Sequence, residues 1–192
     1  MGHYFTNENL ESNIVSFNVE FNNNKFIFNT DNGVFSKGEL DFGTYLLIKN
    51  VLKVNITGSV LDLGCGYGPI GIIVSKLFNI NVTMCDVNRR ALHLVKMNMK
   101  LNGVDGNIIE SDGYSEINDK FDFVISNPPI RVGKEKLYEL LINTKNHLKE
   151  NGELIIVIRK EQGAKSLIKD MSVYYDVKII DKDKGFFIIS LK

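Results

Sequence analysis

The chain has 192 residues, enough for one substantial domain and short of two. Its 23 basic residues balance its 23 acidic ones, which argues against a surface built throughout to bind polyanions; any nucleic-acid contact must come from a local patch. Cys65 and Cys85 are far apart and form no CxxC pair, so no metal site is expected, and no run approaches the ~20 apolar residues of a membrane span. The opening MGHYFTNENLESNIVSF has no apolar run after a basic segment, so a cytoplasmic location is expected.

In chain order, Phe17, Val19 and Phe21 alternate with polar residues, Asn22-Asn23-Asn24 reads as a turn, and Phe26 and Phe28 resume the alternation of an antiparallel hairpin. Asp31-Asn32-Gly33 is a second turn. Ser36 then stands where it can cap a helix running to about Lys53, with Glu39 at the capping-box position. From Val60 short apolar strands at 60–63, 81–85, 107–110, 121–126 and 153–158 alternate with helical patterns at 69–78, 88–101 and 134–149. Such alternation predicts βαβ units and a mainly parallel sheet covered on both faces. A helix at about 164–171 leads to strands at 175–180 and 186–191, joined by a turn at 181–185 and therefore antiparallel. The expected fold is α/β: a doubly wound, mainly parallel, seven-stranded Rossmann-like sheet with a C-terminal antiparallel hairpin, plus an N-terminal β-hairpin and helix. One domain is expected over 1–192, with the hairpin and helix in 1–55 and a cofactor-binding and catalytic core in 56–192.

Residues 61–71 read LDLGCGYGPIG, a strand that passes through Gly64, Gly66 and Gly68 into a helix with Pro69 in its first turn. Glycines there allow a tight turn and close approach of backbone to a ligand. The spacing is GxGxG, and Asp62 stands on the strand just before it. A carboxylate beside that loop would oppose a pyrophosphate but suits a ligand carrying an ammonium group, as S-adenosylmethionine does. Asp86, 22 residues after Gly64, is placed to accept from ribose hydroxyls, and Asp112 in Ser111-Asp112-Gly113 from an adenine amino group. The bland alternatives are a helix-terminal charge for Asp86 and a turn aspartate for Asp112. Cys65, Val87 and Gly113 complete this candidate set, Cys65 only as a small side chain and not as a reactive thiol.

Residues 127–130 read NPPI, directly after a strand. Two prolines there prevent further pairing and stiffen a loop at the edge where doubly wound folds place ligands. An amino group conjugated to a ring is a poor nucleophile. The Asn127 side-chain oxygen and the Pro128 carbonyl can accept its two N–H bonds, favouring a tetrahedral nitrogen whose lone pair faces an electrophilic methyl. Pro129 and Ile130 belong to the same candidate catalytic segment, and Asn127 is also expected to touch the cofactor.

With these motifs in order, the sequence resembles the class I S-adenosylmethionine-dependent methyltransferases. More narrowly, it is similar to small-domain enzymes related to bacterial small-subunit ribosomal RNA guanine-N2 methyltransferases. A third segment carries the resemblance, GVFSKGELDFGTYLL at 33–47. The resemblance places that segment near the methionine end of the cofactor and makes Phe35, Gly43 and Thr44 site residues. It implies S-adenosylmethionine as cofactor, RNA or the small ribosomal subunit as partner, and no metal. Related enzymes often carry an additional N-terminal domain, for which this chain is expected to have no room. Ile130 stands where an aromatic residue usually stacks a base, so Phe35 or Tyr114 is expected to supply that face. Arg131, Lys134, Arg159 and Lys160 form a candidate phosphate-binding patch, against the plainer reading of solvated charge. Two other functions fit the same motifs: methylation of a protein glutamine amide, and a non-catalytic cofactor-binding protein that docks on a ribosomal particle.

Overall fold

The computed structural model describes residues 10–129 and 133–192. Strands β1 (Val15–Phe21) and β2 (Asn24–Thr30) form the antiparallel hairpin, with Phe17 opposite Phe28 and Val19 opposite Phe26. Only Asn22 and Asn23 make the turn, at φ of +48° and +60°; asparagine tolerates this left-handed region, and Asn24 already belongs to β2.

Seven further strands build one sheet: β3 (Val60–Leu63), β4 (Val82–Asp86), β5 (Gly106–Glu110), β6 (Phe121–Ser126), β7 (Leu148–Arg159), β8 (Val177–Asp183) and β9 (Phe186–Leu191). Their spatial order is β5-β4-β3-β6-β7-β9-β8, parallel except for β9, which runs antiparallel to both β7 and β8. The expected doubly wound sheet is therefore the one observed. Alternating residues supply its two cores. Val60, Met84, Ile125, Ile155 and Val157 face helices α1 (Phe42–Val51), α2 (Pro69–Phe78) and α3 (Arg89–Asn102). Leu61, Cys85, Val124, Leu154 and Ile156 face α4 (Lys134–Asn143) and α5 (Ala164–Met171). Among the described residues no helix is long and apolar enough to cross a membrane.

The hairpin is bound to this body by two asparagines one helical turn apart on α3. Asn98 Oδ1 accepts from Asn29 N–H at 2.7 Å, and its Nδ2 donates to Asn29 O at 3.0 Å and to Tyr67 O at 2.9 Å. Asn102 repeats the pattern on Ile27, accepting at 3.0 Å and donating at 2.8 Å. Side-chain amides thus take the place of a neighbouring strand along β2, satisfying backbone groups that burial would otherwise orphan.

The larger differences from the sequence expectation fall in three places. Ser36 does not start a helix: its φ is +56° and its hydroxyl donates to Glu39 O at 2.8 Å, closing a turn with Gly38 at φ +83°. Asp41 caps α1 instead, because its carboxylate accepts from both Gly43 N–H and Thr44 N–H. The helix after residue 134 stops at Asn143, passes through a 3₁₀ turn at Thr144–His147, and gives way to β7, whose Leu148 pairs with Phe121 ahead of a register shift. The final hairpin turns on Lys184 and Gly185 alone, both left-handed, so β8 ends three residues later than expected, and it also starts at Val177 rather than at 175.

Asn98→Leu keeps the volume but removes partners from Asn29 N–H, Asn29 O and Tyr67 O. The unfolding free energy from urea titration should fall by about 3 kcal/mol or more. A loss below about 1 kcal/mol would mean that the hairpin does not depend on this ladder.

Candidate active site

The strand order reverses between β3 and β6, so the loops leaving their C-terminal ends lie side by side at the topological switch point. After β3 the chain turns through Gly64, Gly66 and Gly68 at φ of +69°, +57° and +86°. A Cβ on Gly64 or Gly66 would meet nothing within 4 Å, so bare backbone faces open space, the cradle a ligand needs. Gly71 acts differently. A Cβ there would fall 2.5 Å from Met84 Cγ, and without one its N–H reaches Asp62 Oδ2 at 2.8 Å. Cys65 is buried, its N–H on the Cys85 carbonyl at 2.9 Å, and burial drives its thiol far above the usual range, which removes it as a nucleophile.

Asp62 has no exposed surface, and its Oδ1 is the one fully buried side-chain oxygen or nitrogen among the described residues that lacks a partner. Desolvation dominates its titration, with the Asp86 charge adding to it and the Gly71 bond opposing it, and lifts the carboxyl to about 7. A buried acid beneath an open glycine cradle, with one unanswered oxygen, fits a cationic ligand and would disfavour a pyrophosphate. Asp86, at the end of β4, accepts from Gly66 N–H and Asn88 N–H, each at 2.8 Å, and so holds the glycine loop. Each of its oxygens retains a second lone pair for a ribose hydroxyl. Burial holds this carboxyl above the usual range too. Val87 is half-buried beside it. Asp112 is exposed just past β5, where Ser111 N–H bonds the Asp86 carbonyl at 3.1 Å. Gly113 is left-handed, and a Cβ on it would press to 3.0 Å of Leu140 on α4.

On the β6 side, the buried Ser126 hydroxyl donates to Leu63 O at 2.7 Å, fastening the two strand ends together. Asn127 follows, half-buried, with Nδ2 donating to Thr44 Oγ1 at 2.9 Å and lying 3.5 Å from Asp41 Oδ2. Asp41 was not singled out in the sequence, although an aspartate two residues before Gly43 was a readable helix-cap signal. Gly43 itself admits the ring of Phe186: a Cβ there would fall 2.7 Å from it. Pro128 is buried and Pro129 exposed; Ile130 and Arg131 lie outside the described residues.

The expected basic patch is divided. Lys134 is drawn to the α5 side, 3.5 Å from Asp170 and over the ring of Tyr138, so it does not join the others. The Arg159 guanidinium lies over the Phe186 ring at 4.5 Å and lines an open cleft of about 760 Å³ with Phe17, Phe35, Asp41, Phe42 and Tyr45. Lys160 is exposed beside it. Lys184, missed in the sequence because it sits in a distant turn, lies over Phe42 at 4.6 Å. Tyr114 cannot stack a base: it is buried, its hydroxyl paired with Thr144 at 2.7 Å and its ring stacked on His147. Phe35, 53% exposed on the cleft wall, remains available.

This arrangement matches a known class. Residues 25–190 match the family model of the methyltransferase small domain, and the chain belongs to that family. It is an S-adenosylmethionine-dependent methyltransferase. A Bacillus subtilis (strain 168) relative, the uncharacterized protein YbxB, is 39% identical over 99% of this chain and 98% of its own length. The ribosomal RNA small subunit methyltransferase C of Psychromonas ingrahamii is 35% identical over 92% of this chain, which spans only 51% of that enzyme. The fold also superposes on the T. thermophilus 16S rRNA N2 G1207 methyltransferase, solved with AdoMet and guanosine. There the TM-score is 0.83 at 19% identity, covering 96% of this chain and 52% of that one.

The raised Asp62 carboxyl gives a pH test with a definite sign. Its protonated form is favoured in the folded protein, so it contributes stability that is present below about pH 4 and lost as pH rises through about 7. A cationic cofactor binds the ionised form better. Affinity for S-adenosylmethionine, measured by calorimetry, should therefore rise from about pH 5 towards pH 7, by up to about tenfold per unit, and Asp62→Asn should flatten the rise. A wild-type affinity independent of pH would remove Asp62 from the cofactor's charge balance.

Proposed function

We propose that this enzyme methylates the exocyclic N2 amino group of guanine in RNA, with small-subunit ribosomal RNA as the target, in the cytoplasm. The observation that carries the reading is the orientation of Asn127. Its amide nitrogen is committed to Thr44 and Asp41, and among the described residues no donor reaches its oxygen, which is left to accept from an amino group. The cleft lined by its partner Asp41 offers an exposed ring in Phe35 and a cation in Arg159, the pair of features that stacks a base and meets a phosphate. The similarity to ribosomal RNA small subunit methyltransferases supports the same substrate class.

When bound, S-adenosylmethionine supplies an electrophilic methyl group. Asp62 and the Gly64–Gly68 backbone would hold its methionine end, Asp86 its ribose, and Asp112 its adenine. Asn127 Oδ1 and the Pro128 carbonyl would accept the two N–H bonds of the guanine amino group and concentrate the lone pair on nitrogen. No strong base is required, because the nitrogen loses its proton readily once it becomes cationic.

Labelled methyl transfer to small ribosomal subunits, free ribosomal RNA and total protein, from cells lacking the gene, tests the reading. Label should appear in RNA as N2-methylguanine. Asn127→Ala should lower kcat about a hundredfold or more while cofactor Kd stays within a few-fold. Label confined to protein would move the function to amide methylation, and no label despite cofactor binding would make the chain a binding protein.

A further inference from the structure

We infer that Asp41, acting through Thr44, is a positioning residue that fixes which way the Asn127 amide faces; the inference rests on the amino-nitrogen reading of that site. Asn127 can help an amino group only if its oxygen, not its NH₂, points at the substrate. The two ends of an amide have nearly the same shape, so packing alone discriminates poorly between them. Hydrogen-bond polarity does discriminate.

The chain of commitments begins at the carboxylate. Ionised, Asp41 can only accept. It accepts from the Gly43 and Thr44 N–H groups as the cap of α1, which holds it in place, and its Oδ2 also takes the hydroxyl proton of Thr44 in a short contact. A hydroxyl has one proton. With that proton spent on Asp41, Thr44 Oγ1 offers lone pairs alone to the Asn127 atom 2.9 Å away, and Asp41 Oδ2 offers another at 3.5 Å. The atom facing them must be the donor end of the amide. Turned the other way, the amide would set three oxygens against one another. The consequence is that Oδ1 faces outward.

The surroundings keep this relay stiff. Gly43 is pressed against Phe186, and the Tyr67 hydroxyl donates to Glu39 O at 3.3 Å, tying the segment before α1 to the glycine loop. The anchor of Asn127 therefore comes from the N-terminal part of the chain, 83 residues away in sequence, and not from its own loop.

Three variants and two readouts test the relay. Asp41→Asn retains a good helix cap, Thr44→Val removes the hydroxyl at constant shape, and Thr44→Ser keeps the hydroxyl. The expected result is that D41N and T44V lower kcat about tenfold to a hundredfold, with cofactor Kd and urea midpoint near wild type, and that T44S recovers most of the loss. The Asn127 side-chain amide, assigned by its absence in N127A, should exchange slowly with solvent in wild type and T44S and quickly in D41N and T44V. Wild-type turnover in both D41N and T44V overturns the relay, as does amide protection unchanged in both. The amide signal needs no acceptor substrate. Protein that methylates no RNA yet shows this pattern of protection would overturn the guanine reading and leave the relay standing.

Discussion

The parallel pairing of β3 with β6 is the constraint on which the site depends. It sets Asp62 opposite Ile125, so the glycine loop and the Asn-Pro-Pro segment leave the sheet as neighbours although 63 residues separate Leu63 from Ser126 in the chain. The Ser126 hydroxyl on the Leu63 carbonyl adds a bond where the ladder ends. One loop offers open backbone over a buried acid. The other offers an acceptor oxygen. Neither does methyl-transfer chemistry alone, and their separation is fixed by the spacing of adjacent strands, about 4.8 Å, rather than by flexible side chains.

Around this pair, polar side chains carry out work usually left to backbone. Asn98 and Asn102 complete the edge of β2, and Asn98 also holds the carbonyl of Tyr67 in the glycine loop. Tyr67 in turn packs edge-on against Phe17 and Phe28, so the hairpin, the loop and α3 form one continuous contact. Asp41 does the same at the start of α1, joining a helix cap to Asn127. The N-terminal elements thereby reach Asn127: the cleft that contains Asp41 is walled by hairpin residues and by Phe35 as well as by Arg159 at the end of β7.

The sheet and most of its helices were legible because each strand is a short apolar run and each crossover helix has its own periodicity. The glycine loop and the Asn-Pro-Pro segment were legible because few other local needs call for those residues in that order. What escaped the sequence was set by tertiary partners. Ser36 has the side chain of a helix cap, but Gly38 turns the chain there and Asp41, five residues later, caps the helix on the Gly43 and Thr44 amides. Leu148 has no strand signal of its own until Phe121 pairs with it. Asn98 and Asn102 look like polar positions on a helix surface and are instead buried against a strand edge. Lys134 and Lys184 exchange expected importance because Asp170 draws one aside and Phe42 holds the other near the cleft.

The central claim is that the accepting atom is the amino nitrogen of guanine. It is tested most directly by nucleoside mass spectrometry of RNA methylated by the purified enzyme, comparing a transcript containing guanosine with one in which inosine, lacking the 2-amino group, replaces it. The expected result is N2-methylguanosine from the first transcript and no methylated nucleoside from the second. Equal methylation of both, or methyl groups found on a ring nitrogen or on ribose, would contradict it.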